Sequence, residues 1–214
     1  MNFNPAITEL TTAATDALIA IVALGCIGVL RRGHRKYRQR VAIWSWVFGL
    51  LAFSSMLGDL VHGLDLSSTV QSWLWRPLFL SLGLVVAMFV IGAVFDLKGE
   101  NAARAWLVPM LILTVVFFTV TQIGSGSFRI FIVYEAMAML GALGVYLFLA
   151  RKLRLAGAGT VAAGILLNIV AAAIQSTGTI SVTIIVPFDH NGVFHLVQIL
   201  ALVVLTRGLA RGMA

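Results

Sequence analysis

Seven long apolar segments follow one another along this chain, and short polar or basic stretches separate them. A helix needs about 20 apolar residues to cross the hydrocarbon core of a bilayer, and each segment supplies roughly that number. The pattern therefore predicts an all-α, polytopic membrane protein, a single domain over residues 1–214 built as a seven-helix transmembrane bundle. The predicted helices cover about 12–30, 41–64, 73–95, 105–123, 128–150, 156–178 and 189–206.

Composition narrows the class of protein further. Hydrophobic residues make up 60% of the chain and charged residues only 11%, and the mean hydropathy is +1.02. A soluble domain of this length cannot hide so much apolar surface, so lipid must solvate much of it. The N-terminal stretch lacks the basic residues that open a signal peptide, so we expect the first helix to be retained.

The net charge of +7 comes from basic residues that cluster in a few connections. They follow helices one, three, five and seven, including the stretch from Arg31 to Arg40, and this distribution is typical of cytoplasmic segments. The sequence thus predicts an external N-terminus and a cytoplasmic C-terminus in the inner (cell) membrane. Because the basic residues lie between apolar runs, we expect membrane lipids as partners and no nucleic acid. The sequence leaves the oligomeric state open.

Ionisable side chains inside the predicted spans are the main functional candidates, because a membrane interior makes them costly. The acidic ones are Asp16, Asp59, Glu135 and, at the start of helix seven, Asp189. The histidines in or beside spans are His62, His190 and His195, and the fourth, His34, lies in the first basic stretch. At a rise of about 1.5 Å per residue, the candidates in the spans all fall in the outer half of the bundle. They indicate a pocket open to the outer leaflet or the outer aqueous face.

Helical spacing gathers these residues on two helices, because positions three, four or seven apart share a face. The helix-two set is Ser55, Asp59 and His62. The helix-seven set is Asn191, His195 and Gln198. His190 comes five residues before His195, so both point inward only if the first turn of helix seven is irregular, which Pro187 and Gly192 favour.

Three imidazoles from two helices predict a catalytic zinc site. Zinc in hydrolases takes three protein ligands, here His62, His190 and His195, and keeps one position for water. Asp59 is expected to accept the proton of that water or to orient a histidine. Ser55 is expected to donate a hydrogen bond to the developing oxyanion. The residues expected to support the pocket are Asp16, Glu135, Asp189, Asn191 and Gln198.

Structural roles compete with functional ones at several of these positions. Asp189 is a natural N-cap of helix seven, and Ser54 and Ser55 can bond a backbone carbonyl one turn back or link neighbouring helices. Glu135 can be neutral, or it can be hydrogen-bonded to Gln122 or to Asn168. Small residues on helices five and six are expected to serve close helix packing. These are Gly141, Gly144, Gly157 and Gly164.

The seven spans, the Ser, Asp and His of helix two and the paired histidines of helix seven resemble a known superfamily of membrane hydrolases. This superfamily, often called CREST, groups the alkaline ceramidases with the progestin and adipoQ receptors. The resemblance implies a zinc-dependent hydrolase that cleaves a lipid amide such as ceramide, and the chain reads like an uncharacterised bacterial relative. Two spacings differ from the superfamily pattern. His190 and His195 are five apart instead of four, and Ser55 precedes His62 by seven residues instead of four.

Other functions are compatible with the same residues. Asp16, Asp59 and Glu135 at one depth suit a proton-coupled small-molecule transporter, although the apolar inner half offers no polar path. A haem-binding redox protein with His62 and His195 as axial ligands and a sensory membrane protein without catalysis are further alternatives. A retinal protein would need a lysine inside the bundle. The lysines all lie in predicted cytoplasmic turns, at Lys36, Lys98 and Lys152.

Overall fold

A computed structural model of the chain describes residues 2–32, 35–123 and 128–214, so His34 lies outside the described residues. Within these ranges the chain forms seven long α-helices: α1 Ile7–Arg31, α2 Arg38–Gly63, α3 Ser68–Lys98, α4 Glu100–Ile123, α5 Phe128–Arg151, α6 Ala158–Thr177 and α7 His190–Arg211. A short antiparallel hairpin connects α6 to α7, with β1 Val182–Thr183 paired to β2 Pro187–Phe188. All seven helices are long and apolar enough to cross a membrane, as the hydropathy pattern predicted.

Most helices extend beyond their predicted ends. α3 begins at Ser68 and not near 73, because Ser67 caps the helix by accepting a hydrogen bond from the Val70 N–H. Similarly, α1 already begins at Ile7 and α7 continues to Arg211. Hydropathy marks the part of a helix that lipid contacts, whereas backbone hydrogen bonds and caps carry the helix beyond it.

Six of the helices form a closed ring. Around it, α1 packs on α2, α2 on α3, α3 on α5, α5 on α6, α6 on α7, and α7 on α1. The remaining helix, α4, lies outside the ring against α3 and α5. Many of its apolar side chains are exposed, including those of Val108, Ile112 and Val115, and in a bilayer lipid would cover them. The ring encloses a central space that no single pair of helices could form.

Contacts between the connections define one end of the bundle. Phe3 pairs with Leu64, and the Thr11 hydroxyl donates to the carbonyl of Pro187 at 2.9 Å. The start of α1, the end of α2 and the β1–β2 hairpin therefore lie together. We call this the N-terminal end and the opposite one the C-terminal end.

A buried ion pair joins four helices at the C-terminal end. Nε and Nη2 of Arg40 donate to the two carboxylate oxygens of Asp96 at 2.6 and 2.8 Å. The Tyr146 hydroxyl donates to the same carboxylate at 2.6 Å, and Nη1 of Arg40 donates to the Leu209 carbonyl at 3.4 Å. The sequence pattern marked Arg40 only as a topology-setting residue, but its side chain is buried and links α2 to α3 and α7.

The apolar core packs most tightly towards the C-terminal end of the ring. Its largest fully buried side chains include Trp44, Phe48, Tyr146 and Leu209. The ring of Trp44 meets that of Phe89 edge-on, with 5.0 Å between the centroids, a favoured aromatic geometry. This end is closed by packing, and the space inside the ring extends towards the other end.

Close packing of α6 on α7 depends on glycine. A Cβ atom on Gly164 would lie 2.8 Å from the backbone nitrogen of Leu205, and one on Gly157 would overlap the α7 backbone. The packing role predicted for these two glycines is confirmed. It is wrong for Gly141 and Gly144, where a Cβ atom would meet nothing within 4 Å, because these positions of α5 face outward from the bundle.

Candidate ligand cavity

A cavity of about 460 Å³ occupies the centre of the ring. Side chains from α1, α2, α3, α5, α6 and α7 line it, and none of the described lining residues comes from α4. Its mouth lies at the N-terminal end, where Trp75, Phe128 and His190 contribute to the wall. Cavities of this size bind small molecules, and the described lining residues reach the N-terminal end but stop at Val47 and Leu205 on the way to the C-terminal end.

The lining changes character along the length of the cavity. It runs from His62 to Val47 on α2 and from His190 to Leu205 on α7, which is about 22 Å in each case at 1.5 Å per residue. Polar side chains line the half near the mouth. Apolar side chains line the deeper half, among them Val47, Phe48, Phe89, Met139 and Leu205. The cavity is therefore amphipathic along its axis.

An acid–imidazole pair lies in the polar half. Oδ1 of Asp16 is 3.5 Å from Nε2 of His195, and the two side chains are 8% and 9% exposed, respectively. The other ring nitrogen, Nδ1, is 2.9 Å from the hydroxyl oxygen of Thr15. Because Asp16 and His195 both line the cavity, a ligand that reaches this depth contacts the pair.

The hydrogen bonds of Thr15 determine what this pair can do with a proton. Its hydroxyl lies 3.0 and 2.8 Å from the carbonyls of Thr11 and Thr12 and 2.9 Å from His195, but it has one hydrogen to donate. If that hydrogen goes to a carbonyl, Nδ1–H of His195 donates to Thr15 and Nε2 is free for a second proton. If it goes to Nδ1, then Nε2 carries hydrogen towards Asp16. In both arrangements the Nε2–Oδ1 contact is favourable only with a proton on one of the two atoms.

Asp16 fits against α2 because position 58 is glycine. A Cβ atom there would lie 2.6 Å from Oδ2 of Asp16. Ser54 and Ser55, one turn earlier on α2, are buried and line the same wall. The Ser54 hydroxyl donates to the carbonyl of Leu51 at 2.9 Å. The α2 wall thus places small and hydroxyl-bearing residues next to the pair.

A second buried carboxylate lies across the ring on α5. Nδ2 of Asn168 donates to Oε1 of Glu135 at 2.9 Å, which confirms Asn168 and not Gln122 as its partner. The other carboxylate oxygen, Oε2, has no hydrogen-bond partner within the described part of the chain. Glu135 is 5% exposed and lines the cavity.

Polar side chains also surround the mouth. Nδ1 of His62 lies 2.6 Å from Oε2 of Glu9, and the His62 ring meets Trp75 edge-on. Nε2 of Gln175 donates to Oδ1 of Asn191 at 3.3 Å, joining α6 to α7. These contacts join α1 to α2, α2 to α3 and α6 to α7 around the entrance. They leave His62 and Asn191 on the wall of the cavity.

The structure brings most of the predicted site residues to this one cavity. The members that line it are Ser55, His62, His190, His195, Asp16, Glu135, Asn191 and Gln198. Both helix-seven histidines line the cavity, and His190 is the first residue of the helix. The irregular turn that we expected from their spacing is therefore not required.

Two predicted residues, Asp59 and Asp189, are not among the lining residues. Asp189 caps α7 by accepting the Gly192 N–H at 2.9 Å, and it also accepts the Thr12 hydroxyl. Its predicted capping role is confirmed. Asp59 follows Gly58, which faces the cavity, and one residue further along a helix turns the side chain by about 100°. The carboxylate of Asp59 consequently lies on the side of α2 that carries Gly63.

A metal site was the central sequence prediction. Within residues 2–32, 35–123 and 128–214, no three His, Cys, Asp or Glu side chains lie close enough together to hold one ion. His62 and His195 instead belong to separate pairs, with Glu9 and Asp16 respectively. The three imidazoles share the walls of one cavity, and zinc stays a prediction from the sequence.

Two residues of α1 that help build the site were missed by the sequence interpretation. Glu9 lies before the predicted start of the first helix, and Thr15 carries no charge to mark it inside an apolar run. One signal was present, because Glu9, Thr12 and Asp16 are spaced by three and four residues and share a helix face. In the structure, Glu9 pairs with α2 and Thr12 with Asp189.

Comparisons with known proteins place the chain in a family. The model described as "Family of unknown function (DUF6962)" matches residues 11–214, which include nearly all of the seven-helix bundle. No curated protein and no solved structure matches the chain. The match covers the ring, the cavity and the outer helix together, and the chain therefore belongs to the DUF6962 family.

Proposed function

We propose that this protein is an integral membrane hydrolase that cleaves an amide or ester of a single-chain amphiphile inside the central cavity. The observation that carries the proposal is the position of the Asp16–His195 pair in the polar half of an amphipathic cavity. The resemblance of the helix-two and helix-seven motifs to membrane hydrolases of the CREST superfamily points to the same reaction class. Zinc would add Lewis-acid activation of the carbonyl and of water if bound.

The shape of the cavity suits an amphiphile with one apolar chain. Its deeper half, about 10 Å long on each wall, has Phe48, Phe89 and Leu205 among its lining residues and would take the chain. The polar half near the mouth would take the head group and the scissile bond. Burial of apolar surface supplies the binding energy, at about 25 cal/mol for each Å² removed from water.

The acid–imidazole pair can supply both proton transfers of hydrolysis. In the first step it takes a proton from a water molecule while the water oxygen attacks the carbonyl carbon. In the second step the carbon–nitrogen or carbon–oxygen bond breaks, and the leaving amine or alcohol takes that proton from the pair. Asp16 stabilises the protonated imidazole of His195, and Thr15 holds the ring in place through Nδ1.

The mouth of the cavity is proposed to face outward from the cell. The N-terminal end of the bundle carries few basic residues, and the C-terminal end carries the clusters around Arg38, Lys152 and Arg207. By the positive-inside rule the C-terminal end is cytoplasmic. Substrate would then enter from the outer leaflet of the inner membrane, and the packed C-terminal end would separate the site from the cytoplasm.

The proposal is tested with purified protein in lipid nanodiscs and a panel of single-chain amphiphiles. The panel contains an N-acyl amide, an O-acyl ester and an uncleavable ether of equal chain length, and mass spectrometry follows the products. We expect turnover of the amide or the ester, reduced by about a hundredfold or more in His195→Ala and Asp16→Asn. The matched control is Glu100→Gln, at an α4 carboxylate that pairs with Arg104 and lies away from the cavity.

Two results would overturn the hydrolase proposal. One is equal turnover in the wild type and in folded His195→Ala. The other is saturable binding of the ether, amide and ester with no product from any of them, which would favour a sensory or carrier protein instead. Thermal unfolding of each variant distinguishes loss of chemistry from loss of folding.

A further inference from the structure

We infer that Glu135 forms the recognition site for a protonated amine on the ligand, so that the cavity selects cationic amphiphiles that carry an N–H donor. The inference deepens the proposed function by naming the substrate class. It rests on that function only in taking the central cavity as the substrate site. The Asp16–His195 pair and Glu135 then have different tasks on different walls.

The unpaired oxygen of Glu135 is the first observation. Asn168 occupies Oε1, whereas Oε2 has no hydrogen-bond partner among the described residues although Glu135 is 95% buried. Buried polar atoms without a partner are uncommon and costly, and a bound group commonly satisfies them. An N–H of a ligand would complete the hydrogen bonding of this carboxylate.

The charges around the cavity are the second observation. Asp16 and Glu135 line the interior, and the only Lys or Arg among the described lining residues is Arg129, which is exposed at the mouth. A carboxylate or phosphate on the ligand would face two acidic groups without a buried Lys or Arg to balance it. An ammonium group would gain a charge-assisted hydrogen bond to Glu135.

The amine and the scissile bond of the ligand would bind on opposite walls of the ring. α5 stands across the ring from α1, with α2 and α3 between them on one side and α6 and α7 on the other. Glu135 lies about 10 Å below the start of α5, and Asp16 about 14 Å below the start of α1. Phe131, one turn above Glu135, also lines the cavity.

Four matched probes test the inference without any variant. They are dodecylamine, dodecanol, dodecyltrimethylammonium and dodecanoate, and binding to wild-type protein in nanodiscs is measured from the ligand-dependent shift in thermal unfolding. Empty nanodiscs correct for partition into lipid. We expect dodecylamine to bind about tenfold or more tightly than dodecanol, because a hydrogen bond to a charged group is stronger than one to a neutral group. Dodecyltrimethylammonium, which has the charge but no N–H, and dodecanoate are expected to bind more weakly than dodecylamine.

A variant assigns the preference to one side chain. Glu135→Gln keeps an oxygen for Asn168 and replaces the unpaired acceptor by an amide. We expect it to lose the tenfold preference for the amine while it binds dodecanol as the wild type does. Glu100→Gln, the same change outside the cavity, should keep the preference. An equal affinity of the wild type for amine and alcohol, or an unchanged preference in folded Glu135→Gln, overturns the inference.

The failure of this inference and that of the proposed function have different signatures. If the amine preference depends on Glu135 but no amphiphile is cleaved, the hydrolase proposal fails and the recognition site stands. If amphiphiles are cleaved at rates that do not depend on an amine or on Glu135, the recognition site fails and the hydrolase stands.

Discussion

Asp16 of α1 occupies the space that any side chain at position 58 of α2 would need, because a Cβ atom on Gly58 would lie 2.6 Å from Oδ2 of Asp16. We therefore expect Gly58→Ala to push Asp16 away from His195. The predicted cost is about 1–3 kcal/mol in the free energy of unfolding, as for other overpacked sites, together with loss of turnover. Thermal unfolding and the amphiphile assay measure the two effects.

The same helix offers a matched control for that change. A Cβ atom on Gly49 would have Ile27 as its nearest neighbour at 3.9 Å, an ordinary contact. Gly49→Ala should leave turnover unchanged and stabilise the helix by up to about 1 kcal/mol. Equal loss in Gly58→Ala and Gly49→Ala would contradict the steric explanation.

The buried pair of Arg40 and Asp96 predicts a large and non-additive stability effect. Asp96→Ala leaves the guanidinium of Arg40 buried without its partner, so we expect a loss of about 3–5 kcal/mol. The double variant Arg40→Met/Asp96→Leu removes both charges and should be more stable than Asp96→Ala alone. Thermal or denaturant unfolding in detergent measures the series. If Asp96→Ala loses less free energy of unfolding than the double variant does, the pair does not hold the C-terminal end together.

The proposed orientation in the membrane predicts opposite labelling of two exposed positions. Ile185 in the β1–β2 hairpin is 93% exposed, and Leu153 in the α5–α6 turn is 92% exposed. In a Cys26→Ala background, a membrane-impermeant maleimide should label Ile185→Cys in intact cells and Leu153→Cys only after permeabilisation. The reverse result would place the cavity mouth on the cytoplasmic side.

The zinc prediction is checked by elemental analysis of the purified protein. If the histidines bind zinc, the wild type should hold one ion per chain, and His195→Ala should lose it. Chelation should also lower the unfolding temperature, because a ligand that binds the folded state stabilises it. His34→Ala, in the basic stretch outside the described residues, is the control and should keep the ion. Wild-type protein without stoichiometric zinc, or undiminished zinc in His195→Ala, would exclude this site.

Much of the architecture could be predicted because a bilayer imposes strong rules on a sequence. A spanning segment must be apolar over a set length, and ionisable residues are too costly in such a segment to occur by chance. The seven helices and the one-sided layer that contains Glu135 and His195 follow from these rules. Helical spacing then indicated which residues share a face, and it placed Ser55 and His62 correctly on the cavity wall.

The pairing of residues on different helices was decided by the tertiary structure. Thr15 and His195 are 180 residues apart in the chain, and no spacing rule relates them. Spacing along the chain likewise predicts neither the pairing of Arg40 with Asp96 nor the position of α4 outside the ring. Asp59 shows that prediction from helical spacing has a limit even within one helix. Each residue turns the side chain by about 100°, so a residue next to one that lines the cavity can face away from it. Sequence alone determined how far along its helix each polar group lies, because every residue adds a fixed rise of about 1.5 Å. Which groups meet depended on how the helices pack against one another.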